Sequence, residues 1–231
     1  MAVMVIGASR GLGRALLRGL EQDGRNVVGV ARTAPDASRH WIQADLSRPR
    51  EAAELIAEGA PSGLSTVIYN VGAWEQTAFS SAYDFAVSDE DEIESLISVN
   101  TTAAILVLRR LIPVILNNAQ PRVILTGSTS GLARSGRPEV AFGASKFALN
   151  GIAAALREGY RDRRLAVTTL QLGYLNTDDD LHVPIDQATV RGDGRLIPVH
   201  DVVSVVRMIL GLSPSSFVSE IIMPAVLDDR F

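Results

Sequence analysis

Short apolar runs alternate with longer stretches of helical period along this chain. "AVMVI" (2–6) and "NVVGVA" (26–31) flank a helical pattern at 11–23. "HWIQADL" predicts a short strand near 41–44, "REAAELIAEG" a helix, and "STVIYN" (65–70) a further strand. A long helix is expected from about 89 to 117. Ser88 stands where an N-cap belongs, and the acids of "SDEDEIE" suit a first turn, where free N–H groups favour negative charge. "RVILTGS" (122–128), "LAVTTLQL" (165–172) and "SEIIMPA" (219–225) read as strands, 139–162 and 200–212 as helices.

Continuous apolar strands separated by helices indicate a parallel sheet buried on both faces. The expected class is α/β: a Rossmann-type doubly wound sheet with helices on both sides. No repeat, low-complexity tract or Pro/Gly-rich linker interrupts residues 1–231, so a single domain is expected. The one long irregular stretch is 174–199, after the carboxyl end of a strand, where open α/β sheets bind ligands. It reads as a substrate loop or lid. Asp178, Asp179 and Asp180 within it read as a solvated cap at a loop-to-helix start.

Composition narrows the partners. Hydrophobic residues make up 47% of the chain, enough for a large core. The net charge is −4 and the arginines are scattered, which argues against a nucleic-acid surface. No basic leader precedes the first strand, and no apolar run nears the ~18 residues of a membrane span. The chain has no cysteine, which excludes disulfides and fits a reducing, cytoplasmic setting. His40, His182 and His200 lie far apart without ligand spacing, so no metal site is expected.

Two stretches carry chemistry. "VIGASRGLGRAL" follows the first strand and opens the first helix. Gly7, Gly11 and Gly13 let backbone N–H groups approach a pyrophosphate at the helix N-terminus. The end of the second strand, "GVARTAP", carries Arg32 where NAD sites place an acid. With Arg10, this guanidinium suits a ribose 2′-phosphate and favours NADP(H) over NAD(H). The second stretch is "PEVAFGASKFALNGI", which contains the chain's only lysine, Lys146, on an apolar helix.

In this context the sequence resembles the short-chain dehydrogenase/reductase family along almost its whole length. "GASRGLG" is similar to the family's Gly-x-x-x-Gly-x-Gly turn, "ADL" to its adenine-contacting acid, and "YNVG" to its Asn-Asn-Ala-Gly segment. Asn100 stands thirteen residues before Pro113, as in the family's fourth helix. Ser128 in "LTGSTSG" matches the catalytic serine, Lys146 the lysine of Tyr-x-x-x-Lys, and "LGYLNT" resembles Pro-Gly-x-x-x-Thr with Leu172 in place of proline. The resemblance implies cofactor contacts at Gly7, Ser9, Arg10, Gly11, Leu12, Gly13, Arg32, Asp45, Leu46, Asn70, Gly72, Lys146, Gly173 and Thr177. It implies a catalytic set of Ser128, Lys146 and Asn100, with the asparagine helping to hold the lysine. Family members assemble as dimers or tetramers through two long helices, here about 89–117 and 139–162.

One position departs from the pattern. The tyrosine of Tyr-x-x-x-Lys is Phe142. Residues i and i+4 share a helix face, so the lysine ammonium would favour ionisation of that phenol. Phe142 has no such oxygen. Three functions stay open: an oxidoreductase acting on a small carbonyl, quinone or conjugated substrate with an unusual proton source; a nucleotide-binding sensor, scaffold or partner subunit with little redox activity; and a lyase or isomerase. The oxidoreductase is preferred, with Ser128, a water held by Lys146, or Tyr174 as the donor. Trp74, the segment after Ser128 and the loop at 174–199 would set the substrate.

Overall fold

A computed structural model describes residues 1–34 and 40–229. Seven parallel strands form one sheet in the order β3-β2-β1-β4-β5-β6-β9. They are β1 (Ala2–Ile6), β2 (Asn26–Ala31), β3 (Trp41–Gln43), β4 (Leu64–Tyr69), β5 (Arg122–Thr126), β6 (Ala166–Leu172) and β9 (Glu220–Met223). β1, β4 and β5 are buried along their whole length, as their unbroken apolar runs require. Helices α1 (Gly11–Gln22) and α7 (Val199–Gly211) cover one face around Leu16, Leu20, Val203 and Val206. On the other face, α2 (Pro49–Glu58), α4 (Ala103–Ile115) and α5 (Val140–Gly159) pack around Ile56, Leu111 and Leu149. The expected doubly wound α/β domain is what the chain adopts.

Chain order reverses between β1 and its neighbours β2 and β4. Ligands of open α/β sheets bind at such a switch point, outside the carboxyl ends of the strands. Gly7 turns the chain there with φ +83°, a conformation that favours glycine. Gly13 lies so close to this turn that a Cβ would collide with the Gly7 carbonyl.

Three local expectations change. The N-cap of α3 (Glu90–Ile97) is Asp89, whose Oδ1 accepts from Glu92 N at 2.9 Å; the Ser88 hydroxyl instead donates to Asp84 O. The long helix is continuous from Glu90 to Ile115 but widens to a π turn over Ser98–Thr102. By length and composition it could cross a membrane, although its α4 half packs on the sheet core. The 174–199 segment is not irregular throughout. It holds β7 (Leu175–Asn176) paired with β8 (Ile197–Pro198), and α6 (Ile185–Gly192). Two of its three consecutive acids are ties rather than solvated caps, while Asp178 is exposed. Asp179 accepts from Asn176 Nδ2 and Arg191 Nε, and Asp180 pairs with Arg18 on α1.

Candidate active site

The lone lysine is buried. Lys146, in the second turn of α5, is 4% exposed. Its Nζ donates to Val71 O at 2.8 Å and Thr126 O at 3.0 Å, carbonyls at the carboxyl ends of β4 and β5. An ammonium has three N–H groups, and among the described residues the third has no acceptor. Burial lowers its pKa from 10.5 to about 8. A Cβ on Gly72 would lie 3.2 Å from Nζ, so this glycine leaves room for the ammonium and anything it binds.

Phe142 lies one turn before Lys146 and is also buried, with the ammonium 5.8 Å from its ring centroid. Ser128 caps the turn after β5. Its hydroxyl accepts from Ser130 N at 3.1 Å, and its own N–H is held by Gln171 Oε1. Its hydroxyl proton is therefore not needed by that cap. Asn100 sits on the π turn, and such turns are frequent at functional sites. Its Oδ1 accepts from Ala73 N at 2.8 Å, and its Nδ2 donates to Ala73 O and to Ser145 Oγ. The asparagine thus fixes the backbone after Gly72 and the residue before Lys146.

Of the expected cofactor residues, those at 7–13 and Asn70 follow β1 and β4 on either side of the switch point, and Arg32, Asp45 and Leu46 follow β2 and β3. No side chain caps α1 and no acid lies in its first turn, so its first N–H groups are left open, an arrangement that suits an anion. The Asn70 amide donates to Gly7 O at 3.4 Å. Thr177 would touch a Cβ on Gly11, and Gly173 is anchored through its N–H to Met223 O. Ser9 is half-buried in the turn and Leu12 is buried in α1. Asp45 and Arg32 are exposed; Leu46 packs on the core beside them. The Ser47 N–H holds the Asp45 carboxyl below the usual range, with Arg32 and Arg48 adding to the effect. This donor set fits a dinucleotide, which would supply or accept hydride.

A family model described as short chain dehydrogenase matches residues 1–185. The chain belongs to the short-chain dehydrogenase family. An NADPH-dependent pterin aldehyde reductase of Arabidopsis thaliana is 30% identical over 197 residues, covering 76% of this chain and 75% of that protein. A 3-oxoacyl-(acyl-carrier-protein) reductase of Aggregatibacter actinomycetemcomitans is 29% identical, covering 80% and 81%. Among solved structures, an alcohol dehydrogenase from Thermococcus sibiricus complexed with 5-hydroxy-NADP superposes with a TM-score of 0.79 at 17% identity, over 100% of this chain and 98% of that one. Membership agrees with the preference for an oxidoreductase, a class that acts on small molecules.

Several residues around the candidate site of this short-chain dehydrogenase were not marked in the sequence. Arg137 is buried against Asp228 with an Nη2–Oδ2 distance of 3.1 Å, and its Nη1 donates to the Tyr174 hydroxyl at 3.0 Å. Glu75 is 2% exposed, and its Oε1 accepts from Ala141 N and Phe142 N, capping α5 from 66 positions away. Glu139, equally buried, accepts from Phe79 N at 3.1 Å. The Tyr83 hydroxyl accepts from Val140 N; burial, with Glu75 and Glu139 nearby, pushes its phenol up. Phe79 itself stands at φ +63° among Trp74, Phe142 and Tyr174. In the linear chain Arg137, Glu75, Glu139, Tyr83 and Phe79 fall in two polar loops, 75–83 and 137–139, and nothing local reveals that the loops meet.

Proposed function

We propose that the protein is an NADP(H)-dependent oxidoreductase acting on a small carbonyl, quinone or conjugated substrate. The observation that carries this reading is the buried Lys146 ammonium, fixed by two strand-end carbonyls with one N–H left over. Taking a charge out of water is costly unless it binds something. A nicotinamide ribose beside Gly72 supplies that something. Ser128 then polarises the substrate oxygen. Tyr174 delivers the proton, because its oxygen already accepts from Arg137 and its own hydrogen is free to donate. A guanidinium N–H on that oxygen also stabilises negative charge as the proton leaves.

Arg32 and Arg10 support the preference for NADP(H), and the NADPH dependence of the Arabidopsis pterin aldehyde reductase agrees with it. Exposed Ile105 on α4 and Val140 and Phe147 on α5 support a homodimer or homotetramer through these helices. The cysteine-free chain fits the cytoplasm.

Fluorescence titration tests the cofactor. NADPH should bind more tightly than NADH, and Arg32→Ala should weaken NADPH about tenfold while sparing NADH, as loss of a charge-assisted phosphate contact predicts. Equal affinities in the wild type would count against NADP(H). Proton delivery is tested by Tyr174→Phe. Carbonyl reduction should slow by ~10²-fold at unchanged NADPH affinity. Undiminished turnover would pass the role to Ser128 or water.

A second reading is a nucleotide-binding protein with little redox activity. It is favoured by the missing phenol at Phe142 and by the Phe79 ring packed 5.1 Å from it. NADPH bound tightly but never consumed across aldehydes, ketones and quinones would select it.

A further inference from the structure

Four aromatic rings meet at the carboxyl ends of the strands, and Phe79 is the one surrounded. Its ring centroid lies 5.1 Å from Phe142 at 89°, 5.8 Å from Tyr174 at 89°, and 6.1 Å from Trp74 at 60°. Each contact is edge-to-face, an arrangement aromatic rings favour. Two of the neighbours belong to the site described above. Phe142 is one turn from Lys146, and Tyr174 follows Gly173 at the end of β6. Phe79 therefore fills the space where a substrate must meet them.

The chain works to put it there. Phe79 has φ +63°, a left-handed backbone that a bulky residue rarely adopts and that persists only where its surroundings impose it. Such residues cluster at ligand clamps. The segment is pinned at both ends to the start of α5: Glu75 caps Ala141 and Phe142, and the Tyr83 hydroxyl takes Val140 N–H. Between these pins, Phe79 N to Glu139 Oε1 is the hydrogen bond that reaches α5. Thr77, Ser80, Ser81 and Ala82 are exposed. One bond and one ring hold the middle of the loop down.

We infer that Phe79 is a self-ligand, occupying a seat for the planar ring of an aromatic carbonyl or quinone, and that residues 77–82 swing out when such a ring enters. This rests on the reductase reading for the fate of the ligand, though not for its binding. An incoming ring recovers the edge-to-face contacts with Phe142, Tyr174 and Trp74, and the departing Phe79 is released from its left-handed backbone. A saturated ring of equal size recovers neither the planarity nor the ring electrostatics.

Calorimetric titration with acetophenone and with cyclohexyl methyl ketone tests this. The wild type must spend part of its binding on expelling Phe79, so Phe79→Gly, which also suits φ +63°, should bind acetophenone at least about tenfold more tightly. Cyclohexyl methyl ketone should gain much less. In the wild type, acetophenone should speed amide hydrogen exchange over 77–82, at Phe79 above all, as the bond to Glu139 opens. Equal acetophenone affinity in wild type and Phe79→Gly, or an equal gain for both ketones, overturns the inference. Should Phe79→Gly fail to fold, the exchange experiment decides alone, and unchanged exchange under saturating acetophenone overturns it. The titrations need no cofactor. Failure of NADPH to bind would end the proposed reductase and leave the ring seat standing; tight NADPH binding with acetophenone indifferent to Phe79 would do the reverse.

Discussion

Phe142→Tyr should raise NADPH-dependent carbonyl reduction by ~10²-fold or more, the usual worth of a positioned general acid. The ring is already in place, buried in the first turns of α5 with the Lys146 ammonium 5.8 Å from its centroid. A hydroxyl added there gains a cationic neighbour, which favours the phenolate left behind after proton transfer. Its cost is a polar atom among Phe79 and Trp74, about 1–3 kcal/mol unless it finds a partner. Steady-state rates with an aromatic aldehyde, measured against pH, read the effect. A gain with a new titrating limb means that a phenol beside Lys146 is a better-placed acid than Tyr174. Loss of a native activity on the same substitution would mean instead that the phenylalanine ring belongs to that chemistry, and the proposed proton route would fall.

Lys146→Met should cost ~10²–10⁴-fold in turnover and weaken NADPH about tenfold or more, since it removes a charged donor from the cofactor side. It also has a signature that needs no cofactor. Burial lowers the Lys146 pKa from 10.5 to about 8. The unfolded chain therefore holds this proton more tightly than the folded one. The resulting penalty on folding is fully present below about pH 8 and fades as pH rises toward the free-lysine value. Its size is about 3 kcal/mol. Urea unfolding of the cofactor-free wild type should thus show stability climbing between about pH 8 and 10 relative to Lys146→Met, in which this contribution is absent. Parallel pH profiles for the two proteins would show that the ammonium is solvated, and the account of the site would go with it.

Both experiments turn on residues that the linear sequence had marked. The strands were legible because each is a short apolar run buried on both faces, and the helices because their apolar positions recur with helical period. Gly7 was marked by its place after the first strand and Lys146 by being the chain's only lysine, whereas Asn100 and Ser128 were marked by the resemblance to the family's motifs. Ser88 misled because two residues able to cap a helix stand side by side, and only the backbone path decides between Ser88 and Asp89. The 174–199 stretch hid its order because two-residue strands and an eight-residue helix carry too few positions for a period to emerge.

By itself, then, the sequence determined the α/β class, the glycine turn, the lone lysine and the absence of a phenol four residues before it. These follow from local geometry, in which a residue's neighbours along the chain are also its neighbours in space. Only the tertiary structure decided what surrounds that vacancy. Glu75 capping a helix 66 positions away, Arg137 set between Tyr174 and Asp228, and Phe79 turned into the ring cluster are contacts between distant loops. No period links their positions, and only the closing of the sheet brings them within reach of one another.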